Sequence, residues 1–204
     1  VVSLDPMPEL FGNDLPVIRI ENDGKMEADP TLSPRTAEDL AAFVNDLHES
    51  GIVGLGGAAF PVDWKFDAAQ RNTVKTMLIN GAECEPYLNG DHLTMLNFPE
   101  QLLRGIELVR IASCVDKAYY GIEKNKQDAI DLLNSKNPAQ YGIEIVPENV
   151  KYPQGGEKMQ VKAVTNREVK PGGLPSGVGC NVVSTRTAYA VYQACCEGKS
   201  VIER

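Results

Sequence analysis

Apolar residues recur along the chain at spacings that predict its helices and strands. In the first clear segment, four of them stand at the 3.6-residue spacing of a helix: Leu40, Phe43, Val44 and Leu47. Thr36, with Asp39 three residues later, is typical of a helix start, and Gly51 is typical of a helix end. We therefore predict an amphipathic helix over residues 36–50.

Beyond this helix and a glycine-rich stretch, short apolar runs alternate with helical patterns. Strands are predicted at residues 75–80, 117–122, 143–146 and 178–183. Helices are predicted at residues 99–112, 126–133, 157–164 and 187–196. Alternating strands and helices favour right-handed crossovers and a mainly parallel sheet. The predicted fold class is α/β, a Rossmann-like parallel sheet sandwiched by helices, with a glycine-rich loop.

Residues 1–35 differ from the rest because they are rich in Pro, Asp and Asn. They contain one strand-like run, residues 16–20, before a turn-like Asn-Asp-Gly. We interpret residues 1–35 as an extended lead-in or a remnant of a neighbouring domain, and residues 36–204 as the main domain. Because the chain starts at Val1 rather than at Met, we expect it to be cut from a longer polypeptide.

Charge and composition exclude several classes of protein. The chain has 20 Lys and Arg against 28 Asp and Glu, a formal net charge of −8. No nucleic-acid binding is expected, because phosphate neutralisation needs a basic surface. No stretch approaches the ~20 apolar residues that span a bilayer, and the first residues do not form a signal peptide. Any membrane association is therefore expected to come through partners or segments outside these residues.

The cysteines and histidines favour neither disulfide nor metal chemistry. None of the five cysteines forms a C-x-x-C motif, so we predict no disulfide framework and no iron–sulfur loop in this chain. A reducing, cytoplasmic setting fits best. His48 and His92 are too few and too far apart for a zinc site, and no metal ligand is predicted. Cys84 is interpreted as a small packing residue.

The segment Gly54-Leu55-Gly56-Gly57-Ala58-Ala59 matches the loose dinucleotide-binding pattern G-x-G-x-x-G/A. The usual dinucleotide fold requires a strand before this loop and a long helix that starts inside it. Here a predicted helix precedes the loop and Pro61 follows it. We therefore do not predict the usual dinucleotide turn, and an ordinary glycine-rich turn is the alternative.

The functional interpretation of this loop depends on the residues around it. Gly54, Gly56 and Gly57 let backbone N–H groups approach an anion closely, because no Cβ intervenes. Lys65 supplies a point charge for a phosphate, and Phe60 offers a flat face to an aromatic ligand. Together they suit a phosphate-bearing aromatic cofactor, which the spacing alone does not identify.

Two further loops carry polar residues beside predicted elements. Asn80, Glu83 and Glu85 follow a predicted strand, and ligands of parallel sheets bind at the carboxyl ends of strands. Gly156 and Glu157 open a predicted helix, whose N-terminus favours negative charge. The alternatives are structural: Asn80 and Glu83 cap the next helix, and Glu157 complements the helix dipole.

Other polar features receive structural interpretations. Residues 171–175 (PGGLP) are interpreted as a rigid loop that shapes a cleft. At the last strand-to-helix junction, Thr187 is the expected helix cap. His92 is interpreted as a surface or capping residue rather than a base.

Several ordered motifs together resemble one family. They are residues 51–61 (GIVGLGGAAFP), 80–87 (NGAECEPY), 121–126 (GIEKNK), 151–158 (KYPQGGEK) and 167–169 (REV). Over residues 35–204 the chain resembles RnfC, the C subunit of the Rnf electron-transport complex. It is more distantly similar to the NADH-oxidising flavoprotein subunit of respiratory complex I.

The resemblance implies a binding site for FMN with NADH stacked against it. Carried over by position, four residues would hold the phosphate region of FMN: Gly54, Gly56, Gly57 and Lys65. Asn80 and Glu83 would contact its flavin or ribityl groups. Phe60 and Glu85 would lie beside the nicotinamide dinucleotide. Gly156 and Glu157 would line the other wall.

The chain departs from these families in several places. Leu55 stands where complex I relatives have arginine, and Lys158 stands where they have an acid. The residues Ser184-Thr185-Arg186-Thr187 replace a usual Asn-Val pair before Thr, so no flavin contact is predicted at Ser184. The C-terminal region in which the family carries two 4Fe–4S clusters is absent, and so is most of its N-terminal segment.

The resemblance implies hydride exchange between NAD(H) and FMN, followed by single-electron steps through iron–sulfur clusters towards ferredoxin, coupled to ion transport. Because the flavin carries the chemistry, no catalytic side chain is predicted. The implied partners are other subunits of a complex on the cytoplasmic side of the plasma membrane. The isolated chain is expected to be unable to pass electrons onward.

Two alternatives remain at this stage. One is the related cobalamin reductase of bacterial microcompartments, although residues 152–158 match the Rnf family better. The other is a scaffold domain that has lost cofactor binding, like the A subunit of the sodium-pumping quinone reductase; the retained Gly56, Gly57 and Lys65 argue against it. Gene neighbours would separate the two enzymes, and flavin uptake would separate both from the scaffold.

Overall fold

The computed structural model describes residues 2–8, 12, 14–25, 27, 40–67 and 72–199. The chain divides into two compact units, Val1–Leu32 and Ser33–Arg204. Thr36 and Asp39, the predicted start of the first helix, lie outside the described residues. The predicted boundary at residue 35 stays a prediction.

The first unit contains an antiparallel hairpin of two strands, β1 (Ser3–Pro8) and β2 (Asp14–Arg19). The predicted run at residues 16–20 corresponds to β2. No strand was predicted over β1, because its two prolines, Pro6 and Pro8, interrupt the pattern of a strand. Proline is tolerated where a strand lies at the edge of a sheet, and both strands of a hairpin are edges.

The second unit is built on a sheet of four strands, all parallel, in the order β5–β4–β3–β6. The strands are β3 (Thr76–Gly81), β4 (Ala118–Glu123), β5 (Ile143–Glu148) and β6 (Cys180–Ser184). The helices are α1 (Leu40–Glu49), α2 (Gly90–Asn97), α3 (Pro99–Ala112), α4 (Gln127–Ser135), α5 (Glu157–Thr165) and α6 (Thr185–Glu197). This architecture confirms the predicted α/β class with a parallel sheet.

Alternation along the strands directs side chains into two cores. Met77 and Ile79 of β3 belong to the larger core, which α1, α2, α3, α4 and α6 cover. Leu78, between them, belongs to a smaller core with Val161 of α5. Side chains of a strand point alternately to opposite faces, so the sheet is sandwiched by helices as predicted.

Helix α2 was not predicted. It is eight residues long and buries only Thr94 and Met95, so its apolar pattern is weak. Phe98 separates it from α3, where Pro99 occupies the first helical position as expected. Apart from the start of the first helix, which lies outside the described residues, the other predicted strands and helices of this unit agree with the structure within about two residues at each end.

The order of the strands creates a crevice. From β3 the chain proceeds outward through β4 to β5, and then returns to add β6 on the opposite side of β3. Strand order therefore reverses between β3 and β6. In open parallel sheets, ligands bind outside the carboxyl ends of the strands at such a switch point.

Candidate functional site

The glycine-rich loop is the tip of a small hairpin. The N–H of Gly54 donates to the carbonyl of Phe60 at 2.8 Å, and the N–H of Val62 donates to the carbonyl of Ile52 at 3.1 Å. Gly57 at the tip has φ +107°, a conformation that favours glycine. The loop therefore does not form the strand-to-helix turn of usual dinucleotide folds, in agreement with the sequence analysis.

The same loop lies against the start of α6. The N–H of Leu55 donates to Thr187 Oγ1 at 2.9 Å, and a Cβ added to Gly56 would lie 3.6 Å from Cβ of Ser184. Ser184, not Thr187, is the N-cap of α6, because its side chain accepts a hydrogen bond from the N–H of Thr187. The expected capping role of Thr187 is therefore wrong, since its hydroxyl holds the glycine loop instead.

Lys65 points towards the carboxyl end of β6. Its Nζ donates to the carbonyl of Val182 at 2.6 Å and lies 3.4 Å from Glu157 Oε1 at the start of α5. Asn181 Nδ2 donates to the carbonyl of Lys65 at 3.1 Å, which fixes the backbone of that segment. The Lys65 side chain is only 22% exposed. A positive charge is thus held between β6 and α5.

Asn80, near the end of β3, connects three segments. Its Nδ2 donates to the carbonyl of Gly155 at 2.7 Å, and its Oδ1 accepts from the N–H of Ala82 at 3.2 Å. Its own carbonyl accepts from Thr185 Oγ1 at 3.1 Å. Asn80 therefore does not cap a helix; it joins the loop after β3 to the loop before α5.

Glu83 has the contacts of a helix cap. Its Oε1 accepts from the N–H of Asp91 at 2.7 Å, and its Oε2 accepts from the N–H of His92 at 3.0 Å. These donors belong to the first turn of α2, which has no side-chain cap from its own N-cap residue, Asn89. These hydrogen bonds are the ones expected if Glu83 caps the next helix, which was the structural alternative. A contact between Glu83 and a flavin stays a prediction.

Cys84 packs the loop after β3 against the loop before α5. The N–H of Gly155 donates to its Sγ at 3.2 Å. A Cβ on Gly155 would lie 2.7 Å from the carbonyl oxygen of Ala82, so only glycine fits there. Burial is the main factor that raises the pKa of the Cys84 thiol. A neutral packing thiol agrees with the interpretation from sequence.

These segments surround one cavity of about 320 Å³ at the switch point. Of the ten predicted cofactor-binding residues, those that line it are Gly54, Gly56, Phe60, Lys65, Asn80, Glu85, Gly156 and Glu157. Gly57 and Glu83 are not among its lining residues. Ser184 and Thr187 line it without having been predicted to do so. Their position at a strand-to-helix junction, on the same edge of the sheet as Asn80, is the signal that could have found them.

A second cavity of about 260 Å³ shares a wall with the first. Phe60, Lys65 and Glu157 line both cavities, and Trp64 and Leu174 line only the second. The rings of Phe60 and Trp64 meet edge to face, with centroids 6.4 Å apart. This second space is mainly apolar, and part of its wall is the predicted rigid loop at residues 171–175.

Two findings concern what the described part of the chain lacks. Within it, no group of three or more His, Cys, Asp or Glu side chains is arranged to hold a metal ion. None of its helices is long and apolar enough to cross a membrane.

The chain belongs to the Nuo51 FMN-binding domain family, whose sequence model matches residues 47–193. It is 35% identical over 207 residues to the C subunit of the Na(+)-translocating ferredoxin:NAD(+) oxidoreductase complex of Acetobacterium woodii, covering 100% of this chain and 47% of that protein. It is 36% identical over 207 residues to the C subunit of the proton-translocating ferredoxin:NAD(+) oxidoreductase complex of Clostridium ljungdahlii, covering 100% and 45%. The resemblance to RnfC is thereby confirmed. The chain spans about half the length of these relatives.

A solved structure supports the fold. The chain is similar to part of an NAD+-reducing NiFe-hydrogenase in the H2-reduced state, with a TM-score of 0.69 and 23% sequence identity. The similarity covers 78% of this chain and 31% of the hydrogenase chain.

Proposed function

We propose that the chain is the FMN- and NAD(H)-binding core of an Rnf-type electron-transport complex. In this complex electrons pass between NAD(H) and ferredoxin through FMN and 4Fe–4S clusters, coupled to ion transport. The family supports the flavin, and the names of the relatives support the ferredoxin:NAD(+) oxidoreductase. The observation that carries the proposal is the convergence of the glycine loop, Asn80 and the start of α6 on one cavity at the switch point.

The groups in the first cavity fit FMN. The glycine loop presents backbone N–H groups with no Cβ in the way, and the N-terminus of α6 favours an anion. Lys65 adds a cation, and these three would hold the phosphate. Asn80 and the hydroxyl of Ser184 offer hydrogen bonds to the ribityl chain or the ring edge. The volume of about 320 Å³ lies at the lower end of the range for small-molecule sites.

The second cavity fits the nicotinamide dinucleotide. Phe60 and Trp64 offer aromatic faces to its planar rings, and Phe60 also lines the flavin cavity. The Lys65–Glu157 pair stands at the common wall, where it can meet the polar part of a dinucleotide. Two adjoining cavities allow two planar groups to come face to face.

When bound, the flavin supplies the chemistry that accepts a hydride and releases single electrons. The protein's residues bind the two nucleotides, orient them and exclude water from the space between them. No side chain has to act as an acid or base. Transfer to iron–sulfur clusters, contact with ferredoxin and attachment to the cytoplasmic side of the membrane belong to other parts of the complex.

Titration with FMN, followed by quenching of flavin fluorescence, tests the proposal. In Gly56→Val the new side chain projects towards Ser184. We expect it to weaken FMN binding at least about tenfold, because it fills the space between the glycine loop and the start of α6. Gly177→Val is the matched control, since a Cβ there meets nothing within 4 Å. Equal affinity of the two variants, or no binding by the unmodified chain, would contradict the proposed site.

Bleaching of the bound flavin by NADH tests the second cavity. Trp64→Ala is expected to leave FMN affinity unchanged and to raise the NADH concentration needed for reduction about tenfold. Loss of FMN affinity in this variant would mean that Trp64 contributes to FMN binding, contrary to its assignment to the second cavity. Unchanged NADH dependence would remove the second cavity from the dinucleotide site.

A further inference from the structure

Four polar side chains are buried beneath the loop at residues 152–156, on the sheet face that α5 covers. Glu123 and Gln160 are 0% exposed, Gln154 is 2% exposed and Glu148 is 5% exposed. Glu123 and Glu148 are paired in register at the ends of β4 and β5. None of the four lines the two cavities described above.

One oxygen of Glu148 joins three segments. Glu148 Oε2 accepts from Gln154 Nε2 at 3.0 Å and from Gln160 Nε2 at 2.7 Å. Gln154 belongs to the loop that lines the flavin cavity, and Gln160 belongs to α5. The end of β5 therefore holds both the loop and the helix through this oxygen.

The other oxygen has no such partner. Glu148 Oε1 and Gln160 Oε1 are buried and without a hydrogen-bond partner among the described residues. Both oxygens lie close to Gly121: a Cβ added to this glycine would be 2.4 Å from Glu148 Oε1 and 2.6 Å from Gln160 Oε1. An ionised carboxylate only accepts hydrogen bonds, so two acceptors would face one another in a buried space. Such an arrangement is unfavourable, because neither oxygen replaces its lost contact with water.

A proton on Glu148 Oε1 removes the conflict. The acid then donates to Gln160 Oε1 while Gln160 Nε2 donates to Glu148 Oε2, which closes an acid–amide ring. Both ends of the amide and both oxygens of the acid are satisfied in this arrangement. The hydrogen bond from Gln154 to Glu148 Oε2 is retained.

The surrounding charges agree with a neutral acid. Burial is the largest cause that raises the pKa of Glu148, and Glu123 raises it further. The hydrogen bonds from Gln154 and Gln160 and the charge of Lys151 oppose this rise. Burial also raises the pKa of Glu123.

Three further residues affect the pKa of Glu123. Lys126 and the backbone N–H of Glu83 lower the pKa of Glu123, whereas the charges of Glu83 and Glu85 raise it. The charge of Glu123 therefore disfavours ionisation of Glu148.

We propose that Glu148 is a positioning residue, held as a neutral carboxylic acid, that fixes the cleft-lining loop at residues 152–156 through Gln154. Ionisation of Glu148 opens the ring with Gln160 and loosens that loop. Gly155 then loses its fixed position against Asn80 and Cys84, and the wall of the flavin cavity shifts. This last consequence rests on the proposed function, and it means that FMN affinity is expected to fall as pH rises through the pKa of Glu148.

Glu148→Gln is the informative variant, because its amide completes the ring without a titrating proton. Glu144→Gln is the matched control, since Glu144 is an exposed residue of the same strand. The carbon NMR signal of the Glu148 carboxyl, assigned by its absence in Glu148→Gln, is followed against pH in the whole chain. The carboxyl is expected to keep its proton above the usual titration range of glutamate, and titration within that range would overturn the proposal.

FMN affinity against pH gives the second measurement. The unmodified chain and Glu144→Gln are expected to bind FMN about tenfold more weakly above the pKa of Glu148, whereas Glu148→Gln keeps one affinity throughout. A Glu148→Gln variant that binds poorly at every pH, or that follows the pH dependence of the unmodified chain, would overturn the positioning role. If no form binds FMN at any pH, the proposed function fails, and the titration of Glu148 together with the pH dependence of unfolding still decides its protonation.

Discussion

Individual residues at the carboxyl edge of the sheet each hold several segments together. Asn80 contacts the loop before α5 with its side chain and the start of α6 with its carbonyl. Gly155 lies between Asn80, Ala82 and Cys84, and only the absence of a side chain permits this approach. The shape of the cavity proposed for the flavin therefore depends on single atoms at these positions.

A methyl group at Gly155 tests this dependence. In Gly155→Ala the new Cβ would lie 2.7 Å from the carbonyl oxygen of Ala82 and 3.2 Å from Cys84 Sγ. Overpacking of this kind costs about 1–3 kcal/mol, so we expect a lower free energy of unfolding and about tenfold weaker FMN binding. Urea unfolding and FMN titration measure the two effects. Gly177→Ala, which meets open space, is the control and should change neither.

Asp91 gives a prediction about pH. Burial, followed by the charge of Glu83, raises the pKa of Asp91 to about 6, although Arg186 opposes the shift. A raised pKa means that the folded state binds the proton more tightly than the unfolded state. Its contribution to stability is therefore complete below the usual pKa of about 3.9 and is lost as pH rises through about 6.

The expected size of the Asp91 effect is about 2 kcal/mol between pH 4 and pH 7. Asp91→Asn cannot titrate, so the stability of the unmodified chain relative to this variant should fall over that range. Urea unfolding at several pH values measures the difference. A constant difference would mean that Asp91 titrates normally in the folded protein.

At the scale of elements, local spacing predicted most helices and strands of the second unit. The 14-residue helix α3 was predicted at its observed bounds, because Pro99 marks its start and its inward positions are apolar. Helix α2 was not predicted, because it buries little apolar surface and receives its cap from Glu83, which precedes its first residue by seven positions. Its start depends on a contact that no helix-start motif encodes.

Helices α3 and α6 pack closely through Gly105. A Cβ at Gly105 would lie 2.1 Å from the carbonyl oxygen of Ala188. Helix propensity favours alanine over glycine by about 1 kcal/mol, but the backbone of α6 cannot yield as a side chain can. We therefore expect Gly105→Ala to lower the free energy of unfolding by about 1–3 kcal/mol.

Urea unfolding of Gly105→Ala and of Gly90→Ala makes the comparison. A Cβ at Gly90, the first residue of α2, would meet only the flexible side chain of Arg186 at 3.4 Å. The control variant should be close to neutral. A stabilised Gly105→Ala would show that propensity outweighs the contact between the helices.

At the scale of the whole molecule, the two units are expected to be separable. Every residue that lines the two cavities lies between Gly54 and Thr187. Both strands of the hairpin are largely exposed, so the hairpin contributes little buried apolar area. We predict that a chain without residues 1–35 keeps the cooperative unfolding transition and the FMN affinity of the full chain. Circular dichroism during urea unfolding and FMN titration measure both, and loss of either would place the boundary elsewhere.

The sequence by itself determined most elements of the second unit, the α/β class and the motifs that point to a flavin. These depend on apolar spacing, helix caps and glycines within short segments, which local physics controls. Only the tertiary structure decided which of these residues meet. The return of β6 to the side of β3 brings Thr187 to the N–H of Leu55, 132 positions away. Contacts between residues so far apart depend on strand order and packing, and no local pattern encodes them.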